Sequence, residues 1–466
     1  MSVALRRLGL FSIIMITIGS VDSIRNLPAT ALFGSSLIFF FVLGAVLFLL
    51  PSALVSAELA SMWKEEGGVY SWVKHAFGKR WGFLAIWFQW VENLIWYPTI
   101  LSFIAGTIGF IISPELAESK YFLIAVILVA FWGTTFINLY GMKSSARFAS
   151  FCSLGGLLIP MAVIIGLGAV WVISGRPMHI QFGLQDMIPH SLEPDMWVAL
   201  TGIMMSFCGM EIATVHVREV KNPQSVFPKA MLYSTLIILL TLVFGSLAIA
   251  VVIPHDQISL VAGMMQSFDM FFGVYHMGWI LPILAIMLIL GGLGGLNNWV
   301  IAPTRGLVIA GNDGNLPPIL RRENKHHAPS VLLWVQALMV TALSSVFILM
   351  PSVNGSYWLL TALAAQLYMF MYILMFAAAI RLRYTHPDLY RGFRVMWGNV
   401  GMWLFAGAGI LSSVVTLFVG FIPPGGMDVG GFWYYETLLI VGLLMMSLPP
   451  FVIYVFRKQS WLTVSQ

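Results

Sequence analysis

The first long apolar stretch of the chain is interrupted by the sequence TIGSVDSIRNLP, residues 17–28. Glycine, serine, asparagine and proline weaken a helix there, and two charged residues, Asp22 and Arg25, lie near the middle of the stretch. A charged side chain at the centre of a bilayer costs at least about 2.5 kcal/mol, so it usually faces a wet cavity enclosed by protein. Unwound backbone is tolerated in a membrane only in such a place. The stretch therefore predicts a broken membrane-spanning helix beside a cavity.

The composition of the whole chain is that of a protein that lies in lipid. Of the 466 residues, 59% are hydrophobic and only 9% are charged, whereas about 25% of the residues of a soluble domain are charged. Apolar stretches of about 20 residues, the length that crosses a bilayer, recur from the first segment almost to the C-terminus. No part is long or polar enough for a nucleotide-binding or receptor domain. We therefore expect one transmembrane domain over residues 1–466.

Apolar windows bounded by charged residues, glycine and proline define twelve segments, which we number in chain order. They are residues 9–33, 37–60, 81–112, 121–140, 148–174, 196–218, 228–253, 276–310, 331–350, 357–382, 400–422 and 433–456. The pattern predicts an all-α membrane protein with twelve transmembrane helices.

The distribution of basic residues supports this count. Lysine and arginine are retained on the cytoplasmic side of a membrane, and with twelve segments all but three of the 24 fall on the side shared by both termini. The exceptions are Lys120 and Arg176, on the opposite side, and Arg25, inside segment 1. Both termini are therefore predicted to be cytoplasmic. The net charge of +5 reflects this topology, and no nucleic-acid partner is expected.

Segment 6 repeats the pattern of segment 1 with the sequence SFCGME, residues 206–211. The two interruptions occupy corresponding places in two halves of five segments, about 9–174 and 196–382, which two further helices follow at about 400–456. Paired interruptions of this kind indicate an inverted-repeat transporter whose substrate lies where the broken helices face each other.

The breaks also suggest a chemistry. The amide groups at a half-helix N-terminus suit a carboxylate, and unwound carbonyls suit an ammonium group, so one site could hold both ends of an amino acid. The alternative is that these glycines only allow helices to pack closely, as small residues commonly do in membranes.

At these residues the chain resembles the amino acid-polyamine-organocation superfamily, and within it the bacterial glutamate/γ-aminobutyrate antiporter branch. The similarity covers nearly the whole chain. The motifs that carry it are LPSALVSAELA at 50–60, EEGGVYSWV at 65–73, RWGF at 80–83, FCGME at 207–211, HVREVKNP at 216–223 and PTRG at 303–306.

The resemblance implies a LeuT-like five-plus-five inverted repeat with broken helices 1 and 6, and amino acid exchange by alternating access across the bacterial inner membrane. Carried over by position, residues 19–25 would hold the substrate carboxylate and residues 206–211 would receive the amino group. With Glu92 added from segment 3, the predicted substrate-binding residues are Gly19, Ser20, Asp22, Ser23, Arg25, Glu92, Ser206, Phe207, Cys208 and Gly209.

Two further residues are assigned roles by position. Glu211 matches the membrane acid of related antiporters, and because burial favours the neutral form of a carboxylic acid, it could link transport to pH. Its alternative role is a structural hydrogen bond that ties segment 6 to segment 1. Trp299 is predicted to be an occluding gate. Glu58 and the run at 65–68 are expected to pair with loop arginines as gate or fold elements.

The sequence departs from the antiporter branch at Asp22 and Arg25, where uncharged residues are expected, and at Glu92. Arg25 could pair with an acidic substrate side chain, which favours glutamate or aspartate. It could instead form an internal ion pair with Asp22 or Glu92. The particular amino acid therefore stays open.

Two other classes of function compete with exchange. A proton-coupled symporter or uniporter for amino acids or polyamines would use the same site, and a sensor or channel could share the fold. An enzyme is not expected, because no catalytic cluster or nucleotide motif occurs among the segments. No metal or cofactor is expected either. The expected partners are a small amino acid, the lipid bilayer and, as an option, a second copy of the chain in a homodimer.

Overall fold

The structure is a computed structural model that describes residues 8–62, 67–140, 154–189, 197–212, 220 and 222–461. In these ranges it has eleven helices that are long and apolar enough to cross a membrane, and one shorter apolar helix, Ala199–Ile212. The prediction of an all-α membrane protein is confirmed. The count of twelve spans stays a prediction, because Ala199–Ile212 is short and the residues that follow it, 213–219, lie outside the described ranges.

The helices begin and end within a few residues of the predicted bounds wherever the structure describes them. In chain order they are Leu10–Ala31, Gly34–Met62, Lys79–Ile112, Lys120–Leu139, Gly155–Ile173, Ala199–Ile212, Ser225–Val252, Gly278–Leu296, Ser330–Leu349, Val353–Thr385, Gly398–Val419 and Phe432–Val455. In segment 8 the helix continues to Ala310. Hydropathy locates these elements well because the hydrocarbon core of the bilayer requires apolar side chains, and because it requires a helix in which every backbone polar group is hydrogen-bonded.

Segment 1 is interrupted at the residues that the sequence indicates. Its first helix, Leu10–Val21, ends where Asp22 and Ser23 take extended backbone conformations. A single 3₁₀ turn, Ile24–Asn26, leads into the short helix Leu27–Ala31, which has a proline in its first turn. Proline is favoured there because the amide it lacks would have no partner within the helix.

Segment 6 has a turn at the corresponding position. Its α-helix ends at Ser206, and Gly209 has a φ of +110°, a conformation that L side chains rarely adopt. A methyl group on Gly209 would lie 2.9 Å from the carbonyl oxygen of Ser20. The glycine therefore allows the interruptions of segments 1 and 6 to approach closely. The second half of segment 6 lies outside the described residues, so the broken helix there stays a prediction.

Segments 3 and 10 form the centre of the molecule. In their most apolar windows 72% and 78% of the residues are buried, against 33% in segment 11 and 17% in segment 12. Segment 12 is the least buried of the eleven long helices in the described ranges, and segment 11 is as little buried as segment 5. The division into two five-segment repeats plus two extra helices stays a prediction.

One end of segment 2 is joined to segment 10 by a buried ionic cluster. Arg383 donates from Nε and Nη2 to the two carboxylate oxygens of Glu58, each at 2.6 Å, and the backbone amide of Val395 donates to Glu58 at 2.7 Å. Arg391 lies 3.2 Å from the same carboxylate. The expected pairing of Glu58 with arginines is confirmed, whereas Glu65 and Glu66 lie outside the described residues.

Candidate functional site

A cavity of about 100 Å³ lies beside the interruption of segment 1. A water molecule needs about 10–15 Å³ on the same measure, so the cavity has room for several waters or a small solute. Segments 1, 3, 5, 6, 8 and 10 contribute to its wall. Eight predicted site residues lie in that wall: Gly19, Ser20, Asp22, Ser23, Arg25, Glu92, Cys208 and Trp299.

Asp22 reaches the cavity because the helix of segment 1 ends just before it. Its side chain is 4% exposed. One carboxylate oxygen, Oδ2, accepts a hydrogen bond of 2.8 Å from the hydroxyl of Thr241 on segment 7. The other, Oδ1, is buried without a hydrogen-bond partner. A buried oxygen with unused acceptor capacity is costly, so this atom is available to a ligand cation or proton.

Arg25 is held by uncharged groups. Its Nη1 donates to the Thr99 hydroxyl at 3.0 Å and to the Tyr357 hydroxyl at 3.2 Å. The guanidinium carbon lies 5.3 Å from the centre of the Trp96 ring, within the range of a cation–π contact. The Tyr357 hydroxyl in turn donates to the backbone carbonyl of Arg25 at 3.1 Å. These contacts orient the guanidinium without neutralising it.

The predicted internal ion pair is not formed at salt-bridge distance in this structure, although the charge of Arg25 still acts on Glu92. Among the described residues Arg25 makes no ion pair with Asp22, Glu92 or any other carboxylate. Its Nε is also buried without a hydrogen-bond partner. Helix packing keeps these groups apart although all three line one cavity. Arg25 is thus a buried cation without a salt bridge among the described residues, and Glu92 acts on it only at longer range.

Glu92 brings a second carboxylate to the cavity from segment 3. It is 2% exposed, and its Oε2 accepts a hydrogen bond of 3.1 Å from the neighbouring Asn93 side chain. Asn93 also lines the cavity, and it donates to the backbone carbonyl of Gln89 at 2.7 Å. The wall therefore contains one cation and two carboxylates, which could contact both ends of a zwitterion.

Four residues predicted on segment 6 do not line this cavity: Ser206, Phe207, Gly209 and Glu211. The Ser206 hydroxyl donates to the carbonyl of Gly202 one turn earlier, and the Phe207 ring packs against Phe41, with centroids 5.6 Å apart. The Gly209 amide donates to the hydroxyl of Tyr372 at 2.8 Å. The prediction that residues 206–211 receive the amino group therefore finds support in the wall only at Cys208.

Glu211 is buried one side chain away from the cavity. Its Oε1 accepts from the Gln89 side chain at 3.0 Å and from the Tyr368 hydroxyl at 2.6 Å, and its Oε2 accepts from the Tyr372 hydroxyl at 2.5 Å. These bonds join segment 6 to segments 3 and 10, while the alternative of a bond to segment 1 stays a prediction. Tyr368 itself lines the cavity, so a proton or a movement at Glu211 could reach the cavity through this residue.

Trp299 closes one part of the wall together with Trp96. Their ring centroids are 5.7 Å apart, and the Tyr97 hydroxyl donates to the carbonyl of Trp299 at 2.9 Å. Trp299 thus has the position that an occluding residue requires, while its role as a gate stays a prediction.

Sequence reasoning missed the residues that orient the charged groups: Thr99, Thr241, Tyr357, Tyr368 and Tyr372. One signal could have found two of them. Tyr368 and Tyr372 are four residues apart, so their hydroxyls lie on one face of segment 10, and a hydroxyl inside a membrane needs a partner. Within the described ranges no group of three or more histidine, cysteine, aspartate or glutamate residues is arranged to hold a metal ion.

The chain is similar to known transporters along nearly its whole length. A family model described as amino acid permease matches residues 8–444. An uncharacterized transporter of Legionella pneumophila is 42% identical over 450 residues, which cover 96% of each chain. A glutamate/γ-aminobutyrate antiporter of Lactococcus lactis is 30% identical over 456 residues, 96% of this chain and 90% of its own. A probable agmatine/putrescine antiporter of Lactococcus lactis is 25% identical over 427 residues, 90% of this chain and 88% of its own.

Proposed function

The chain belongs to the amino acid permease family, and on that premise we propose that it is a secondary active amino acid antiporter with glutamate or a related amino acid as substrate. The observation that carries the proposal is the buried Arg25, which has no salt bridge among the described residues, in a cavity that also contains two carboxylates. A buried cation without a partner is unfavourable, and a substrate carboxylate would supply the missing anion. The Lactococcus lactis relative named for glutamate and γ-aminobutyrate supports the same substrate class.

In this proposal the substrate bridges the charged groups of the wall. Its carboxylate pairs with the guanidinium of Arg25, whose planar donor groups suit two carboxylate oxygens. Its ammonium group pairs with Asp22 or Glu92, of which Asp22 has an oxygen without a partner. This assignment moves the amino group away from Ser206, Phe207 and Gly209 and toward segments 1 and 3.

Transport would proceed by alternating access. The interrupted parts of segments 1 and 6 are in contact at Gly209 and Ser20, so a movement of one displaces the other. We infer that these elements rock around the cavity and that the return step is fast only when an amino acid is bound, which makes the carrier an exchanger. Trp299 and Trp96 would occlude the site in the loaded state.

Exchange is tested by counterflow of labelled glutamate in liposomes that contain the purified protein. Uptake should be at least tenfold faster when the liposomes contain unlabelled amino acid than when they are empty. Equal uptake into empty liposomes would overturn obligatory exchange in favour of a uniporter or a proton-coupled symporter. Binding that stabilises the protein without any uptake would favour a sensor.

Glu211 is proposed to link transport to pH. The groups that face its carboxylate are Gln89, Tyr368 and Tyr372, with Glu92 the further carboxylate that interacts with it. Glu211→Gln keeps the side-chain shape but removes the titrating group, so the pH profile of exchange should become flat while the thermal midpoint changes little. Tyr372→Phe removes the hydroxyl, and with it the hydrogen bonds to Glu211 and from Gly209, but keeps the carboxylate, so it should retain a pH-dependent profile. An unchanged profile in Glu211→Gln would remove the proposed link.

A second candidate is exchange of amines or polyamines. It is favoured by Asp22 and Glu92, which together outnumber the single cation of the wall, and by the relative named for agmatine and putrescine. A thermal-shift screen against amino acids, agmatine and putrescine separates the two candidates. Stabilisation by the amines alone would contradict the amino acid proposal.

The remaining predictions about cellular context are proposals as well. We infer that the chain lies in the inner membrane of a bacterium with both termini in the cytoplasm, on the basis of the basic residues and the bacterial relatives. Labelling of single cysteines placed near each terminus in intact cells tests the orientation. Chemical cross-linking in membranes tests the homodimer.

A further inference from the structure

Segment 8 presents a face of small residues to the cavity. Gly291, Gly292 and Gly295 lie in the wall between Leu288 and Trp299. Gly291 and Gly292 follow Leu288 and precede Gly295 by three or four residues, and Trp299 follows Gly295 by four, so these residues occupy one side of the helix Leu281–Ala310. The helix of segment 3 contributes the apolar residues Trp96, Ile100 and Phe103 to the same wall, in addition to Glu92 and Asn93.

The three glycines have different surroundings. A methyl group on Gly291 would lie 2.6 Å from the Cα atom of Gly156, and one on Gly292 would lie 2.9 Å from the side chain of Ile104. Close packing therefore accounts for both. A methyl group on Gly295 would meet no atom of a described residue within 4 Å. Helix packing in the described structure does not require a glycine at this position.

Gly295 lies between the aromatic end and the apolar part of the cavity. One turn after it, Trp299 packs on Trp96, over whose ring the Arg25 guanidinium lies. About one turn before it, Gly292 faces Ile104, and Ile100 lies within 3.9 Å of the same point. The open space at Gly295 thus continues from the charged groups toward an apolar wall.

A separate observation indicates that this space receives a ligand. Arg25 lines the same cavity, is 2% exposed, and has a buried Nε without a hydrogen-bond partner. A ligand that binds at Arg25 and Asp22 therefore lies in the same cavity as the space that Gly295 leaves open.

We propose that Gly295 determines the length of the amino acid side chain that the site accepts. This inference rests on the proposed function, and it narrows the substrates to amino acids whose side chains extend to the length of glutamate. Such a side chain occupies the space that a residue larger than glycine at position 295 would fill. One methylene group in a binding pocket changes discrimination about 10- to 200-fold, so a valine at this position has a measurable effect.

The test compares long and short amino acids in the same liposome counterflow assay and in thermal-shift titrations. Glutamate, glutamine and methionine represent long side chains, and alanine and serine represent short ones. The variants are Gly295→Ala and Gly295→Val, and the matched control is Gly166→Val. Gly166 is an exposed helix glycine of segment 5 that also has no described atom within 4 Å of an added methyl group.

The expected result is a fall of about tenfold or more in the ratio of long to short substrate binding and exchange for Gly295→Val, with a smaller fall for Gly295→Ala. Gly166→Val leaves the ratio unchanged. An equal loss for both groups of substrates, or an unchanged ratio in folded Gly295→Val and Gly295→Ala protein, overturns the inference while the proposed function stands. Failure of the unsubstituted protein to exchange any amino acid overturns the proposed function instead.

Discussion

Arg25 in segment 1 and Glu58 in segment 2 are both charged residues with less than 3% of their surface exposed, but their surroundings differ. Glu58 has two hydrogen bonds from Arg383, one from a backbone amide, and Arg391 nearby. Arg25 has two neutral hydroxyls and an aromatic ring, and within the described residues no carboxylate pairs with it.

The difference separates a structural role from a binding role. Removing a charge from water costs several kcal/mol, and a protein recovers this cost when a well-placed counter-charge is present. Around Glu58 the chain supplies the counter-charges itself, so the cluster can hold segments 2 and 10 together in the absence of any ligand. Around Arg25 the described chain supplies no counter-charge at salt-bridge distance, so the cost of burying the guanidinium is only partly offset. A bound anion would then stabilise the protein strongly.

The largest expected effect is at the paired cluster. Glu58→Gln leaves Arg383 and Arg391 buried without an anion, so the folded state should lose about 3–5 kcal/mol of stability. Thermal unfolding in detergent should show this as a large fall in the midpoint. The control is Glu323→Gln, which removes a carboxylate from an exposed pair with His327 and should cost about 0–1 kcal/mol. Equal shifts in the two variants would show that the buried pairing is not structural.

The second largest effect is expected at Arg25. Arg25→Gln removes a charge-assisted bond to the substrate, worth about 1.5–3 kcal/mol, and should lower exchange about 10- to 100-fold. Its ligand-free thermal midpoint should change much less than that of Glu58→Gln, because no buried carboxylate loses a salt bridge and Glu92 loses only a longer-range interaction.

Arg25→Lys should also lower exchange, because lysine keeps the charge but lacks the planar donor groups. A fall in stability as large as that of Glu58→Gln, together with normal exchange, would reverse the roles assigned to the two residues.

The smallest effect concerns a third, partly exposed cluster at Asp313, in the loop region after segment 8. Burial there acts to raise the pKa of Asp313, but hydrogen bonds from Lys74 and Tyr70 and the positive charges of Lys74 and Lys79 outweigh it and lower the pKa. A lowered carboxyl pKa contributes stability above the ordinary value of about 3.9, and this stability is lost as the pH falls through the lowered value.

Asp313→Asn should therefore reduce stability at pH 7 by only about 0.2–1 kcal/mol. The difference from the unsubstituted protein should shrink below about pH 4 as the carboxyl group takes up a proton, and it should also shrink in high salt. Thermal midpoints measured between pH 3 and 7 in low and high salt, conditions chosen to bracket about pH 4, check both trends. A difference that is constant over this range would mean that the charge of Asp313 makes no contribution.

The fold could be predicted from the sequence to a large extent. The bounds of the apolar segments and the interruption at residues 22–23 follow from the order of residues alone, because hydropathy, glycine, proline and membrane-embedded charge all act locally. The same reasoning predicted that Asp22, Arg25, Glu92 and Cys208 belong to the candidate site, since a polar side chain in an apolar segment needs a polar partner or a wet cavity beside it.

The pairing of these groups could not be predicted in the same way. Arg383 and Glu58 are 325 positions apart in the sequence but are hydrogen-bonded, whereas Arg25 and Asp22 are close in the sequence and form no salt bridge. Whether two charges pair depends on distances of a few ångströms and on side-chain direction. Both are set by how segments from distant parts of the chain pack together.

The sequence by itself determined an all-α membrane protein with charged residues at an interrupted first helix. Only the tertiary structure decided which charges compensate one another, that Ser206, Phe207, Gly209 and Glu211 lie outside the cavity wall, and that Thr99, Thr241 and Tyr357 orient its charged groups. The reason is physical: the cost of placing a charge in an apolar segment depends on that segment alone, whereas the recovery of the cost depends on the neighbours that packing provides.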